Sequence, residues 1–307
     1  MANLLEFRDI DSHYVFTILQ KIQISIRHKC NFPYKKAEEY GITKEKRGEK
    51  LIVSLTSYPK RISTVHITLN TLLRQRLKPD EIILWLADSQ FQNRENDLPE
   101  ELLELRKFGL QIRWCKDLKS YKKLIPALRE YPNDVIITAD DDIYYEEDWL
   151  ENLYRAYIAD KKNIYVKRAG RVESVKGKLC TVPTRRHLYK NKEDARFENI
   201  IMGGSGCLFP PNSLHKDIFN EEQFLTVIPT HDDIYFWAMA VLQGTKIKIV
   251  DGYTKNMCTI EGTQAVGLCK INNPKRGGLS AQNAIDKMCE IYPQITETVA
   301  GSSLNIS

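Results

Sequence analysis

The 307-residue chain has no run of eighteen apolar residues, no internal repeat and no low-complexity tract. No transmembrane helix is therefore expected, and no solenoid or linker-dominated architecture. Cysteine is scarce and scattered. The seven cysteines (Cys30, Cys115, Cys180, Cys207, Cys258, Cys269, Cys289) are odd in number, and none lies in a C-x-x-C pair. That spacing excludes a zinc ribbon and a disulfide framework and reads as reduced thiols. The opening "MANLLEFRDIDSHYVF" meets charges too early for a secretory signal. A cytoplasmic chain is expected, with peripheral contact at the inner face of the membrane as a further reading. Neither sign of charge dominates, with 45 basic against 40 acidic residues.

The basic charge is uneven. Residues 161 to 192 carry eleven basic side chains (Lys161, Lys162, Lys167, Arg168, Arg171, Lys176, Lys178, Arg185, Arg186, Lys190, Lys192) against one acid, Glu173. Such a run reads as a solvated face or as a surface that receives phosphate groups. No nucleic-acid recognition motif accompanies it, so no nucleic-acid partner is expected. At the N-terminus, "HYVFTILQKIQISIRHK" spaces Val15, Ile18, Leu19, Ile22 and Ile26 at a helical period beside Lys21, Arg27 and Lys29. Either a helix packed on the main domain or an interfacial helix on an anionic membrane fits that pattern.

From Lys50 onward, apolar runs alternate with helical patterns. Strands are predicted at "KLIVSLTSY", "DEIILWLAD", "LQIRWCKD" and "DVIITADDD". Between them lie "STVHITLNTLLRQR", with Ser63 as N-cap, "LPEELLELRKFG", with Pro99 at its start and Gly109 past its end, and "SYKKLIPALREYP", interrupted by Pro126. A helix, "EEDWLENLYRAYIAD", follows the fourth strand. This alternation predicts an α/β fold with a parallel sheet covered by helices. Ligands bind at the common C-terminal edge of such sheets. "TSYPKR", Asp88 with Ser89, and a triple aspartate all fall on that edge. After residue 165 the alternation gives way to shorter, mixed segments, expected to supply the other wall of a cleft.

The triple aspartate is Asp140, Asp141 and Asp142. Adjacent carboxylates repel, so something must neutralise them. In an extended chain Asp140 and Asp142 point together and Asp141 opposite. Two such carboxylates suit Mg²⁺ or Mn²⁺ shared with substrate phosphates. A turn with helix-capping acids is the bland alternative. An EF-hand fails, because Tyr145 stands where that loop needs glycine. A second acid pair, Asp232 and Asp233, stands where a helix begins and reads as a cap or as a base. Gly203, Gly204 and Gly206 read as a ligand approach or a plain turn. Lys60, Arg61, Lys122 and Lys123 are candidate phosphate contacts or surface charges.

A D-x-D at the end of the fourth strand, followed by a mixed half, resembles the GT-A glycosyltransferases of the family 2-like kind. The resemblance spans roughly residues 50 to 255. It rests on "LIVSLTSYPKRI", "TADDDIYY", "IMGGSGCLFPP" and "HDDIYFWAMAVLQG" in that order. It departs from the family where Asp232-Asp233 replaces the commoner Glu-Asp. It implies a GT-A-like Rossmann-type nucleotide-binding sheet with helices on both faces and a mixed acceptor-binding half. The expected division is an N-terminal helical appendage over residues 1–48, a catalytic domain over 49–255 split at residue 160, and a C-terminal extension over 256–307.

The resemblance also implies site residues. Thr56, Ser57, Tyr58, Lys60, Arg61, Asp88, Lys122, Asp140 and Asp141 would bind the donor, with Asp88 at the base. Gly203, Gly204, Ser205 and Gly206 would approach the donor sugar and acceptor, and Asp142 with Asp140 would hold Mn²⁺ or Mg²⁺. Asp233 is the expected general base, with Asp232 beside it. The implied partners are a nucleotide sugar, foremost a UDP-sugar, and a glycan or lipid-linked acceptor. The rival readings are an aspartate-nucleophile phosphatase and a sugar-binding protein without turnover. The phosphatase pattern calls for Thr or Val where this chain has Tyr144.

Overall fold

The computed structural model describes residues 35–182, 194–250, 258–266, 272 and 278–304. The N-terminal helical pattern and Arg185, Arg186, Lys190 and Lys192 lie outside the described residues. Contacts divide the chain into Met1–Lys36 and Ala37–Ser307, and every element below belongs to the second unit.

The four predicted strands form: β1 (Leu51–Thr56), β2 (Glu81–Ala87), β3 (Leu110–Cys115) and β4 (Val135–Ala139). They pair in parallel in the order β3-β2-β1-β4, in register from Leu51 opposite Val135 to Leu55 opposite Ala139. A two-residue strand, β5 (Ile143–Tyr144), follows β4 at once. Beyond β4 the sheet becomes mixed. β6 (Ile164–Val166), then the antiparallel sheet of β7 (Ala169–Val175), β8 (Lys178–Thr181) and β9 (Asn199–Ile201), precede β10 (Cys207–Phe209). β10 inserts antiparallel between β4 and β6, and β11 (Ile247–Ile249) closes the edge. The result is a seven-stranded, mainly parallel sheet.

Alternation along each strand divides the core in two. Leu51, Val53 and Leu55 of β1 join Leu84 and Ile137 beneath the helices Val65–Leu73 and Trp149–Ala159. Ile52, Ile83 and Ile136 face the other way, onto the helices Ile125–Glu130 and Asp232–Gln243. Helices therefore cover both faces, as expected. Residues on opposite sides of one strand must fill different cores, which fixes the register.

Local details differ from the sequence reading. Thr64, not Ser63, is the N-cap position of Val65–Leu73, and no side chain caps it. Pro126 starts a helix (Ile125–Glu130) rather than interrupting one, since its missing N–H is spare in the first turn. Residues 37–48, grouped by sequence with the appendage, bond to the core: the Ala37 amide donates to Asn70 Oδ1 (2.7 Å) and the Gly41 amide to the Phe108 carbonyl (2.7 Å). The described residues of the C-terminal segment also join this fold. β12 (Cys258–Thr259) pairs with β5, and Ile285, Met288 and Ile295 of the last two helices are fully buried. No helix among the described residues is long and apolar enough to cross a membrane.

Candidate active site

A cavity of about 540 Å³ opens where β1 and β4 end. Thr56, Ser57, Tyr58 and Arg61 line it from the loop after β1, and Asp140, Asp141 and Asp142 from the turn after β4. Lys119, Ser120, Lys122 and Lys123 come from the turn after β3, and Asp232 and Asp233 from the first turn of the helix Asp232–Gln243. Thr259, Gln264 and Asn272 close it from the C-terminal segment. The common strand edge thus gathers parts of the chain more than two hundred residues apart.

Protein cations meet the triple aspartate. Arg61 binds Asp141 Oδ1 at 2.6 Å and Asp142 Oδ2 at 3.0 Å. Ser57 donates to Asp141 Oδ2 (2.6 Å), and Gln264 Nε2 donates to Asp142 Oδ2 (2.7 Å). Asp140 turns instead to Lys123 (3.0 Å). The expected alternation, Asp140 with Asp142 and Asp141 opposite, therefore does not hold. The strand ends at Ala139 and a turn begins at Asp141, so strand periodicity no longer applies. Compensation is incomplete. Burial pushes Asp142 up to about 6 against the pull of Arg61, and Asp140 and Asp141 add to the push. Burial also raises Asp141, opposed by Arg61 and Ser57.

The second acid pair shares one ammonium with Asp140. Lys123 Nζ lies 2.8 Å from Asp232 Oδ2 and 3.7 Å from Asp233 Oδ1. Asp232 is buried and accepts the Ser120 hydroxyl (2.8 Å). Asp233 is 34% exposed and accepts the Gly203 amide on Oδ2 (3.0 Å). Burial raises Asp233 to about 7. Lys123 pulls it down, and the charges of Asp232 and Asp140 push it up.

Tyr145 and Trp149 bind the glycine segment to the acidic turn. The Asp140 amide donates to the Tyr145 hydroxyl (2.8 Å), which donates to the Gly204 carbonyl (3.1 Å). The Trp149 indole donates to the Ser205 carbonyl (2.9 Å). Gly204 lines the cavity; Gly203, Ser205 and Gly206 lie outside its lining and support it. Gly206 has φ +96°, and a Cβ there would fall 2.4 Å from the Trp149 ring. Gly206→Ala should cost about 2–4 kcal/mol from overpacking and left-handed strain. Thermal unfolding reads this directly, and an unchanged melting temperature would show that the ring yields freely.

Other expected residues fall elsewhere. Lys60 is exposed and outside the lining. Asp88 is surface-held by Arg94 (2.8 Å) and does not reach the cavity, because that guanidinium six residues on takes its carboxylate. Lys122 lines the cavity but gives its Nζ to Asp117 (2.8 Å). His231 Nε2 bonds the Leu279 carbonyl (2.8 Å). Sequence reasoning missed Gln90, Lys119, Ser120, Thr230, Thr259, Gln264 and Asn272 in the lining. Only Lys119 and Ser120 carried a signal, adjoining the recognised lysines.

Among the described residues, five aspartates and four basic side chains line the cavity, and one of the four, Lys122, is committed to Asp117. A diphosphate would add negative charge to a lining that already leans negative. No group of three His, Cys, Asp or Glu among the described residues forms an all-protein metal cage. A Mg²⁺ or Mn²⁺ that shares its ligands with phosphates needs only one or two carboxylates. Asp140 and Asp142 both line the cavity, the first paired with Lys123 and the second with Arg61.

No family model and no curated protein matches the sequence. Among solved structures the chain is similar to TarS 1-349 of S. aureus in complex with UDP, at 16% identity and TM-score 0.47. That match covers 66% of this chain and 58% of the other, so it spans little more than half of TarS 1-349. Mannosyltransferase PcManGT from Pyrobaculum calidifontis, in complex with GDP-Man and Mn²⁺, is similar at 12% identity and TM-score 0.46, covering 96% and 85%. A 4-diphosphocytidyl-2C-methyl-D-erythritol synthase is similar at 14% identity and TM-score 0.45, covering 72% and 97%. What each of these binds is a property of that protein.

Proposed function

We propose that the chain is a glycosyltransferase of GT-A type. It moves a sugar from a nucleoside-diphosphate donor, foremost a UDP-sugar, to a hydroxyl of a glycan or lipid-linked acceptor. The observation that carries this reading is the joining, in one cavity at the strand edge, of a phosphate side and an acid side. Arg61 with Asp140 and Asp142 forms the first, and the partly exposed Asp233 forms the second.

Each group has a defined task. Thr56, Ser57 and Tyr58 form the loop that receives the nucleotide, and Arg61 fixes the acidic turn. Asp233, held by the Gly203 amide, takes the proton of the acceptor hydroxyl. A base with a pKa near 7 is matched to that step at neutral pH. A divalent cation held by Asp140 and Asp142 would supply charge neutralisation for the leaving diphosphate. Attack in a single displacement, through an oxocarbenium-like state, inverts the anomeric centre.

The test is a panel of nucleotide sugars with Mn²⁺, scored by thermal shift and by sugar transfer. One donor at a hundred times its Kd should stabilise the protein by about 2.7 kcal/mol. Excess EDTA should remove both the shift and the transfer. Full transfer in EDTA would sink the metal assignment. Phosphate release from simple phosphoesters without transfer would favour the phosphatase reading. Binding without turnover across a panel of acceptors would favour a non-catalytic sugar-binding protein.

A further inference from the structure

Among the described residues, Lys123 is the one cation in the cavity lining that joins the two acidic groups. Its side chain is 7% exposed, and its Nζ lies 2.8 Å from Asp232, 3.0 Å from Asp140 and 3.7 Å from Asp233. Burial alone would push the ammonium down, yet Asp140, Asp232 and Asp233 together hold it well above its ordinary value. Its backbone is pinned from below. Ser54 Oγ donates to the Lys123 carbonyl (2.6 Å), and the Trp85 indole donates to that same Oγ (3.0 Å). On the cavity side Gly203 leaves room for it; a Cβ there would stand 3.0 Å from Nζ and 2.5 Å from Asp233 Oδ1.

A structural staple alone would not need this arrangement, because a buried ion pair adds little that a well-packed apolar side chain would not. What sets Lys123 apart is the pair of elements it ties. Asp140 follows β4 on the donor side. Asp232 and Asp233 open a helix on the acceptor side. One hydrogen bond goes to Asp140 and a charged contact to Asp232, while Asp233 lies beyond hydrogen-bond reach and is oriented by Gly203.

Resting on the transfer reading, we propose that Lys123 is a positioning residue that sets the distance between the donor-side and acceptor-side carboxylates. That distance places the acceptor oxygen against the anomeric carbon. Misplacement by about 1 Å can cost roughly 10²-fold in rate. Lys123 itself touches neither reacting atom.

The test uses the full chain carrying Lys123→Met with Asp232→Asn. Both changes are close in size, the lining loses one charge of each sign, and the new amide can still accept from Ser120. Asp232→Asn alone is the control. The expected result for the double variant is a cooperative melt, a donor KM close to wild type and kcat reduced roughly 10²-fold, well beyond the control. Equal kcat in the double variant and the control overturns the role. A loss confined to KM also overturns it and assigns Lys123 to donor binding. Should the double variant not melt cooperatively, Lys123→Arg decides. It keeps the charge, but Gly203 leaves no room for a larger fork, so kcat should fall with KM held; wild-type kcat overturns the role. A wild-type protein that transfers no sugar from any donor defeats the transfer reading itself, which is distinct from an active wild type matched by its variants.

Discussion

Asp233→Asn should slow sugar transfer by roughly 10²–10⁴-fold, the usual contribution of general-base catalysis, and leave donor affinity nearly unchanged. The amide is close in size to the carboxylate, so it can still accept the Gly203 N–H, but it takes no proton at neutral pH. Asp233 contacts Gly203 and the charge of Lys123, and neither belongs to the acidic turn after β4. In the wild type the rate should rise with pH through about 7, as the base loses its proton, and then level off. The variant should show no such rise.

Stability should move the opposite way. The folded-state pKa lies above the ordinary 3.8, so between those values the folded protein holds a proton that the unfolded chain has released. Wild-type stability therefore falls as pH rises across that window. The variant lacks this loss and should melt higher than wild type at pH 8, with a smaller difference near pH 4. The measurements are calorimetric donor titration, turnover and melting on one preparation. Loss of donor binding with activity would put Asp233 on the phosphate side. Near-normal turnover would move the base elsewhere, with Asp232 first to test.

Arg61→Met should destabilise the folded protein by about 3–5 kcal/mol, the cost of stripping one partner from a buried charge cluster. The guanidinium is 11% exposed and the Asp141 and Asp142 side chains 7% each, so water cannot replace it cheaply. The remaining contacts, Ser57 to Asp141 and Gln264 to Asp142, are neutral donors. The carboxylates then have every reason to take protons. Arg61 lowers both pKa values against burial, so its removal raises them further. The ion pair contributes stability only while the acids are ionised. The variant's deficit should be largest above pH 7 and shrink as pH falls through about 6 and below. Denaturant unfolding at pH 8 and pH 5 checks this. An equal deficit at both values would mean that lost packing, not lost charge, is the cause.

The half of the fold built on β1 to β4 was legible in the sequence because its signals are local. Each of β1 to β4 is an apolar run bounded by turn residues, and Gly109, at φ +106°, ends its helical segment as its position suggested. β10 was not legible. Its three residues, Cys207–Phe209, carry no pattern that says antiparallel or names a partner. The site was half legible. Three aspartates after a strand announce unusual charge, but the sequence does not say that Arg61, eighty residues away, answers it. Lys122 and Lys123 look alike in the chain. The backbone turn sends one to Asp117 and the other to the acids. Gln264 and Asn272 had no sequence signal, because their roles arise from the return of the C-terminal segment to the cavity.

β10 also sets the order in which this sheet can be assembled. Pairing of Thr138 with Cys207 brings together residues 69 apart in sequence, and β6 cannot join β4 until β10 fills the place between them. β1 with β2 and β2 with β3 need no such closure, since each of these pairs is bridged by a single connecting segment, whereas β4 reaches β1 only across both of them, from Val135 back to Leu51. Contacts of long sequence separation pay their loop-closure entropy before they are rewarded, and so form slowly. β1 to β3 should thus gain hydrogen-exchange protection early in refolding, and β4 with Cys207–Phe209 late. The glycine segment that precedes β10, and with it the support of Asp233, would be among the last features of the native state to appear.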